Sequence, residues 1–177
     1  MSGKSTLLRS IGLNVILAQT GAPVCADECS LPELCVATSM RVRDSLSDGV
    51  SFYMAELQRL KEVVDQAAEM SKDANRTLIY LLDEILLGTN SAERHVAVVE
   101  VVRHLLDAGA IGAISTHDLE LGNSEQLSDA CDPVHFRERI EEVDGESQMT
   151  FDYQMRDGVA TTTNALKLLE MVGLRSN

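Results

Sequence analysis

The 177 residues carry a formal net charge of −13, with 45% apolar and 24% charged side chains. That balance suits a globular domain with a substantial core, and it argues against a surface that grips nucleic acid unaided, which needs clustered Lys and Arg. Aromatic residues are only 3%, with no Trp, so stacking platforms for single strands are not expected either.

No apolar run approaches the ~20 residues that span a bilayer, and no small-residue cleavage site follows an apolar core near the start. Cys25, Cys29, Cys35 and Cys131 lack C-x-x-C spacing and a nearby His, which reads as reduced thiols in a cytoplasmic protein.

The chain opens MSGKST, and helical spacing of Leu7, Leu8, Ile11, Val15 and Ile16 predicts a helix from Thr6 to Thr20, ended by Gly21 and Pro23. Glu33 to Val42 reads as extended. Ser47-Asp48-Gly49 breaks the chain before an amphipathic helix, Ser51 to Ser71, with Leu57, Leu60, Val64 and Ala67 on one face. LIYLLDE, Leu78 to Glu84, is short and apolar, the pattern of a buried strand in a parallel sheet. Asn90 with Glu93 forms a capping-box pattern for a helix to about Leu106, and Ala110 to Ser115 is a second buried strand. His135 to Ile140 and Met149 to Met155 alternate around Asp144-Gly145, a hairpin signal. A last helix is expected from Asn164 to Val172, with Gly173 to end it. The chain shows no repeat and no low-complexity linker. It therefore reads as one α/β domain over residues 1–177, a mostly parallel sheet flanked by helices with a late antiparallel hairpin.

Four stretches carry chemistry. Gly3, Lys4 and Ser5 match the second half of a phosphate-binding loop, in which helix-start N–H groups face phosphates, Lys4 neutralises the terminal ones and the Ser5 hydroxyl holds Mg²⁺. GKST alone also fits an N-terminal helix carrying an ordinary Lys. Asp83 closes an apolar strand at the carboxyl edge of the sheet, where ligands of α/β folds bind; it could complete Mg²⁺ coordination through water while Glu84 orients or deprotonates the attacking water. A strand stopping at a polar loop gives the same pattern. His117, again just after a buried strand, could donate to a γ-phosphate. SDGVSFYMAE feeds a helix start where free N–H groups and the Ser51 hydroxyl offer a second anion site, which a dimer sandwiching nucleotide between subunits could use.

In this order the stretches resemble the C-terminal ATPase domain of the MutS family of DNA mismatch-repair proteins, part of the ABC class of P-loop NTPases. MSGKST resembles the end of the family's G-P-N-M-S-G-K-S-T loop. GVSFYMAEL resembles its G-x-S-T-F-M-x-E segment, with Phe52 and Tyr53 where Thr and Phe are usual. LLDEILLGTNSAER resembles D-E-x-x-x-G-T-[ST], with Asn90 for Ser, and STHDLEL resembles the segment of the switch His. VHFRE and the segment from MTFDYQMRDG onward resemble the closing hairpin and helix. The wording around DEILLGTNSAER is closer to MutS-related bacterial proteins than to the mismatch-repair enzymes themselves.

The resemblance implies an ATPase using ATP and Mg²⁺ as a homodimer with composite sites. Ser2, Gly3, Lys4, Ser5, Thr6 and Ser51 would bind nucleotide, Ser5 and Asp83 the metal, and Glu84 and His117 would be catalytic. It also implies that DNA is held only by regions outside this chain, and that the chain is cut inside its phosphate loop, with the family's Gly-Pro-Asn lying upstream of Met1. The other expectation is a catalytically inactive dimerisation fragment with a broken nucleotide site.

Overall fold

The computed structural model describes residues 3–40, 52–143, 146–161 and 174. The expected site residues Ser2 and Ser51, the Asp144-Gly145 turn and the closing helix from Asn164 to Val172 with its Gly173 lie outside the described residues. Two compact units make up the chain: one is Ser5–Ala130, the other Met1–Lys4 with Cys131–Asn177.

In the larger unit, three helices alternate with three strands: α1 (Lys4–Gln19), β1 (Glu33–Met40), α2 (Phe52–Met70), β2 (Arg76–Asp83), α3 (Ser91–Asp107) and β3 (Ile111–Ser115). The strands form a parallel sheet in the order β1-β2-β3. β2 is the central strand because its apolar residues run without alternation: Leu78 to Asp83 are all buried, as a strand covered on both faces requires. Its register sets Met40, Asp83 and Ser115 side by side at the carboxyl ends of the three strands.

Helix α1 packs on β1 and β2 through Leu8 and Val15, which join Leu34, Ile79 and Leu81 in one apolar cluster. Gly12 makes the close approach possible, since a Cβ there would come within 2.8 Å of Leu81 Cδ1. Gln19 Nε2 donates to the Leu34 carbonyl at the start of β1, at 2.7 Å. Gly12 over Leu81 and Gln19 at Leu34 make α1 antiparallel to the strands. Its first turn, about 10 Å before Gly12 at 1.5 Å per residue, therefore points to the carboxyl edge.

Helix α2 differs from its expected face by one residue. Glu56, Leu60, Val63 and Ala67 are the buried stripe, whereas Leu57 and Val64 flank it. The spacing of the stripe is that of a helix face, but a carboxylate heads it. Helix α3 starts as expected at its cap: the Asn90 side chain accepts from the Glu93 amide at 2.9 Å. Only half of the capping box forms, because the Glu93 carboxylate accepts from the Thr89 hydroxyl at 2.5 Å instead of returning to the Asn90 amide.

In the smaller unit, β4 (Val134–Val143) and β5 (Glu146–Asp157) form an antiparallel pair. Its register slips between Phe136 and Glu138. On the opposing strand Tyr153 is left-handed there, at φ 54°. Asp152 pins that irregularity: it accepts from the Gln154 amide at 3.0 Å and from Arg156 Nη2 at 2.6 Å. Gly3 belongs to this unit, with φ 99°, and a Cβ on it would lie 3.1 Å from Tyr153 Cδ1.

Candidate active site

The residues that could do chemistry gather where β2 and β3 end. Asp83 is 5% exposed and Ser115 6%. The Ser115 hydroxyl donates to Asp83 Oδ1, so the buried carboxylate has a partner on one oxygen, as burial of such a group requires.

Immediately after Asp83 the chain turns sharply. Glu84 and Leu86 are both left-handed, at φ 52° and 59°, a conformation that costs a residue with a side chain about 1–2 kcal/mol each. Three interactions hold the turn. The Glu84 amide donates to the Ser115 carbonyl at 3.0 Å. Leu86 is fully buried, and its amide donates to Glu56 Oε1 at 2.7 Å. The turn leaves the Glu84 carboxylate 2.8 Å from His117 Nε2. An ionised carboxylate only accepts, so this pairing places a proton on Nε2. His117 is 71% exposed and Glu84 18%, so the pair sits at the rim of the edge and not in the core.

Of the expected site residues, Asp83, Glu84 and His117 converge on this edge, and the first turn of α1, from Ser5, is directed toward it. Gly3 and Lys4 fall by their contacts in the other compact unit.

The sequence reading assigned no role to Ser115, Glu56, His95 or Asp118. Burial pushes the Glu56 carboxyl above its ordinary range, while the Leu86 amide pulls the other way; its Oε2 is buried with no hydrogen-bond partner among the described residues. His95 Nδ1 lies 3.4 Å from Asp118 Oδ2, and the other Asp118 oxygen accepts from the Glu120 amide at 3.0 Å. The glutamate in GVSFYMAEL and the acid after His117 were the available signals, but neither pattern shows what its side chain meets. Burial and the Asp132 charge push the Cys131 thiol up, away from the reactive thiolate.

Hard oxygen donors suit Mg²⁺, and the oxygen donors of Asp83 and Ser5, a carboxylate and a hydroxyl, are of the kind that would hold it.

Fold and edge together define an α/β domain whose candidate chemistry stands at the carboxyl edge of a parallel sheet. The chain belongs to a family: the MutS domain V model matches residues 1–177. It is 30% identical over 177 residues to the DNA mismatch repair protein MSH3 of Yarrowia lipolytica, covering 98% of this chain and 17% of that protein. To the DNA mismatch repair protein MutS 2 of Haloarcula marismortui it is 31% identical, over 98% of this chain and 17% of the relative. To the DNA mismatch repair protein MutS of Pseudothermotoga lettingae it is 29% identical, over 98% and 20%. The chain thus spans about a fifth of the length of the curated relatives it matches. The MutS domain V match runs over residues 1–177, Gly3, Lys4 and Ser5 among them, and this corrects the expectation of a cut inside the phosphate loop, which the match does not show. Among the described residues, no helix is long and apolar enough to cross a membrane.

Proposed function

We propose that this domain binds and hydrolyses ATP, with Mg²⁺, for a MutS-like mismatch-repair protein. In this reading two copies complete each other's nucleotide sites, in the P-loop, ABC-class manner, and DNA is gripped by regions outside this chain. The observation that carries it is the Glu84–His117 hydrogen bond at 2.8 Å, one residue beyond the buried Asp83 at the carboxyl edge.

Mg²⁺ would neutralise charge on the terminal phosphates and be held by Asp83 and Ser5. Lys4, with the N–H groups at the start of α1 and the hydroxyls of Ser2 and Thr6, would bind the phosphates. Glu84 would orient the attacking water and take its proton, and His117 Nε2 would fix the direction of that carboxylate. Ser51 of a second copy would close the site. Such catalysis is mainly positioning and charge neutralisation.

Equilibrium binding of a fluorescent Mg·ATP analogue, with phosphate release, tests the reading on the full chain. Lys4→Ala should weaken binding at least ~30-fold, the effect of losing a charged hydrogen bond of about 2 kcal/mol. Equal affinity of Lys4→Ala and wild type would sink it. Binding without phosphate release would favour the inactive dimerisation fragment.

A further inference from the structure

We propose that Glu56 is a positioning residue: from helix α2 it holds the left-handed Glu84–Leu86 turn and so aims the Glu84 carboxylate. The catalytic half of this inference rests on the function proposed above.

The position is costly for a carboxyl. Glu56 is 5% exposed and shares its stripe with Leu60, Val63 and Ala67, so a Leu there would bury more apolar surface and leave no polar atom behind. What a Leu lacks is an acceptor. Glu56 Oε1 takes the Leu86 amide at 2.7 Å, in a buried hydrogen bond bridging 30 residues of sequence. Without it that buried N–H would be unpaired.

The turn it holds needs such support. Glu84 and Leu86 have φ values of 52° and 59°, and left-handed residues with side chains persist only where their surroundings over-determine them. The Glu84 amide is tied to Ser115 on β3, and the Leu86 amide to Glu56 on α2. These two ties bracket Ile85, and they fix the direction in which the Glu84 side chain leaves the sheet edge. Oε1 alone makes the tie to Leu86, while Oε2 has no hydrogen-bond partner among the described residues. A glutamine amide oxygen offers the same acceptor.

The test uses the full chain and two variants. Glu56→Leu keeps the size and the helix but removes the acceptor; Glu56→Gln keeps the acceptor. Residue-resolved amide exchange by NMR reads the turn, and Mg·ATP binding with single-turnover hydrolysis reads its consequence. In wild type the Leu86 amide should be protected. In Glu56→Leu it should exchange at least ~10-fold faster, with hydrolysis slowed ~10–100-fold, the range for a misplaced catalytic group, and Mg·ATP affinity within ~2-fold of wild type. Glu56→Gln should stay near wild type in all three.

An unprotected Leu86 amide in wild type would overturn the proposal, even if Glu56→Leu does not fold. So would unchanged Leu86 exchange in Glu56→Leu, faster exchange with undiminished hydrolysis, or a Glu56→Gln as impaired as Glu56→Leu. A wild-type chain that hydrolyses no ATP would overturn the function proposed above, and exchange at Leu86 alone would then decide whether Glu56 holds the turn.

Discussion

Glu84 does two things that a strand-ending carboxylate need not do: it adopts φ 52°, and it meets His117 Nε2 at 2.8 Å. The first costs free energy and the second orients the carboxylate, which is the arrangement expected of a group whose direction matters. If Glu84 is the base, Glu84→Gln should bind Mg·ATP as wild type does and hydrolyse it at least ~100-fold more slowly, a common share for a positioned base. Single-turnover phosphate release measures this, and an unchanged rate removes Glu84 from the role. Asp83 and Glu84 were legible in the sequence because an apolar run closed by two carboxylates is a local pattern. Glu56 was not. The apolar stripe of α2 is wide enough, with Leu57, Val63 and Val64 all available, that its centre could lie on either side by one residue, and the demand that pulls Glu56 inward comes from an amide 30 residues away. The His117–Glu84 contact was missed for the same reason, since the sequence pointed His117 at a phosphate.

At the scale of elements, the bounds of α1–α3 and β1–β3 were legible to within a few residues, because each has its own period and its own stop signal. The expected burial of β3 was not met, since Ile111 is 49% exposed. The order β1-β2-β3 was not legible, since pairing is decided between segments. Glycines mark where elements press together. Gly12 lets α1 settle on Leu81, and Gly112 on β3 faces Tyr80 of the central strand so closely that a Cβ would lie 2.1 Å from the Tyr80 carbonyl oxygen. That oxygen is backbone in the middle of the sheet and cannot rotate away, so β3 itself would have to shift. Gly112→Ala should therefore destabilise the protein by about 3 kcal/mol, the upper range for overpacking, with Ser115 and the Asp83 hydrogen bond displaced along with the strand. Denaturant unfolding measures the first effect. A variant as stable as wild type would mean that β3 does not lie this close to β2.

At the scale of the whole molecule, the chain spans 17–20% of the length of the curated relatives it matches. Its net charge of −13 agrees with the proposal that this part would turn over nucleotide and leave DNA to other regions. Under the proposed function the chemistry would be shared with a second copy, and the sequence offers a means. Ser51 lies outside the described residues, but it immediately precedes α2, whose buried Glu56 is tied to the turn after Asp83. Lys4 begins α1 at the other candidate phosphate site. If Ser51 closes the nucleotide site of a second copy, Lys4→Ala and Ser51→Arg damage different halves of each composite site. Either homodimer then has two broken sites. A heterodimer of the two variants has one site with both defects and one with neither, so mixing the inactive proteins should restore up to about half of the wild-type activity per dimer, by the count of intact sites. The measurement is phosphate release after mixing, with heterodimers counted by differently tagged subunits. If heterodimers form and activity does not return, Ser51 does not act across subunits, and the two anion-binding helix starts serve separate purposes.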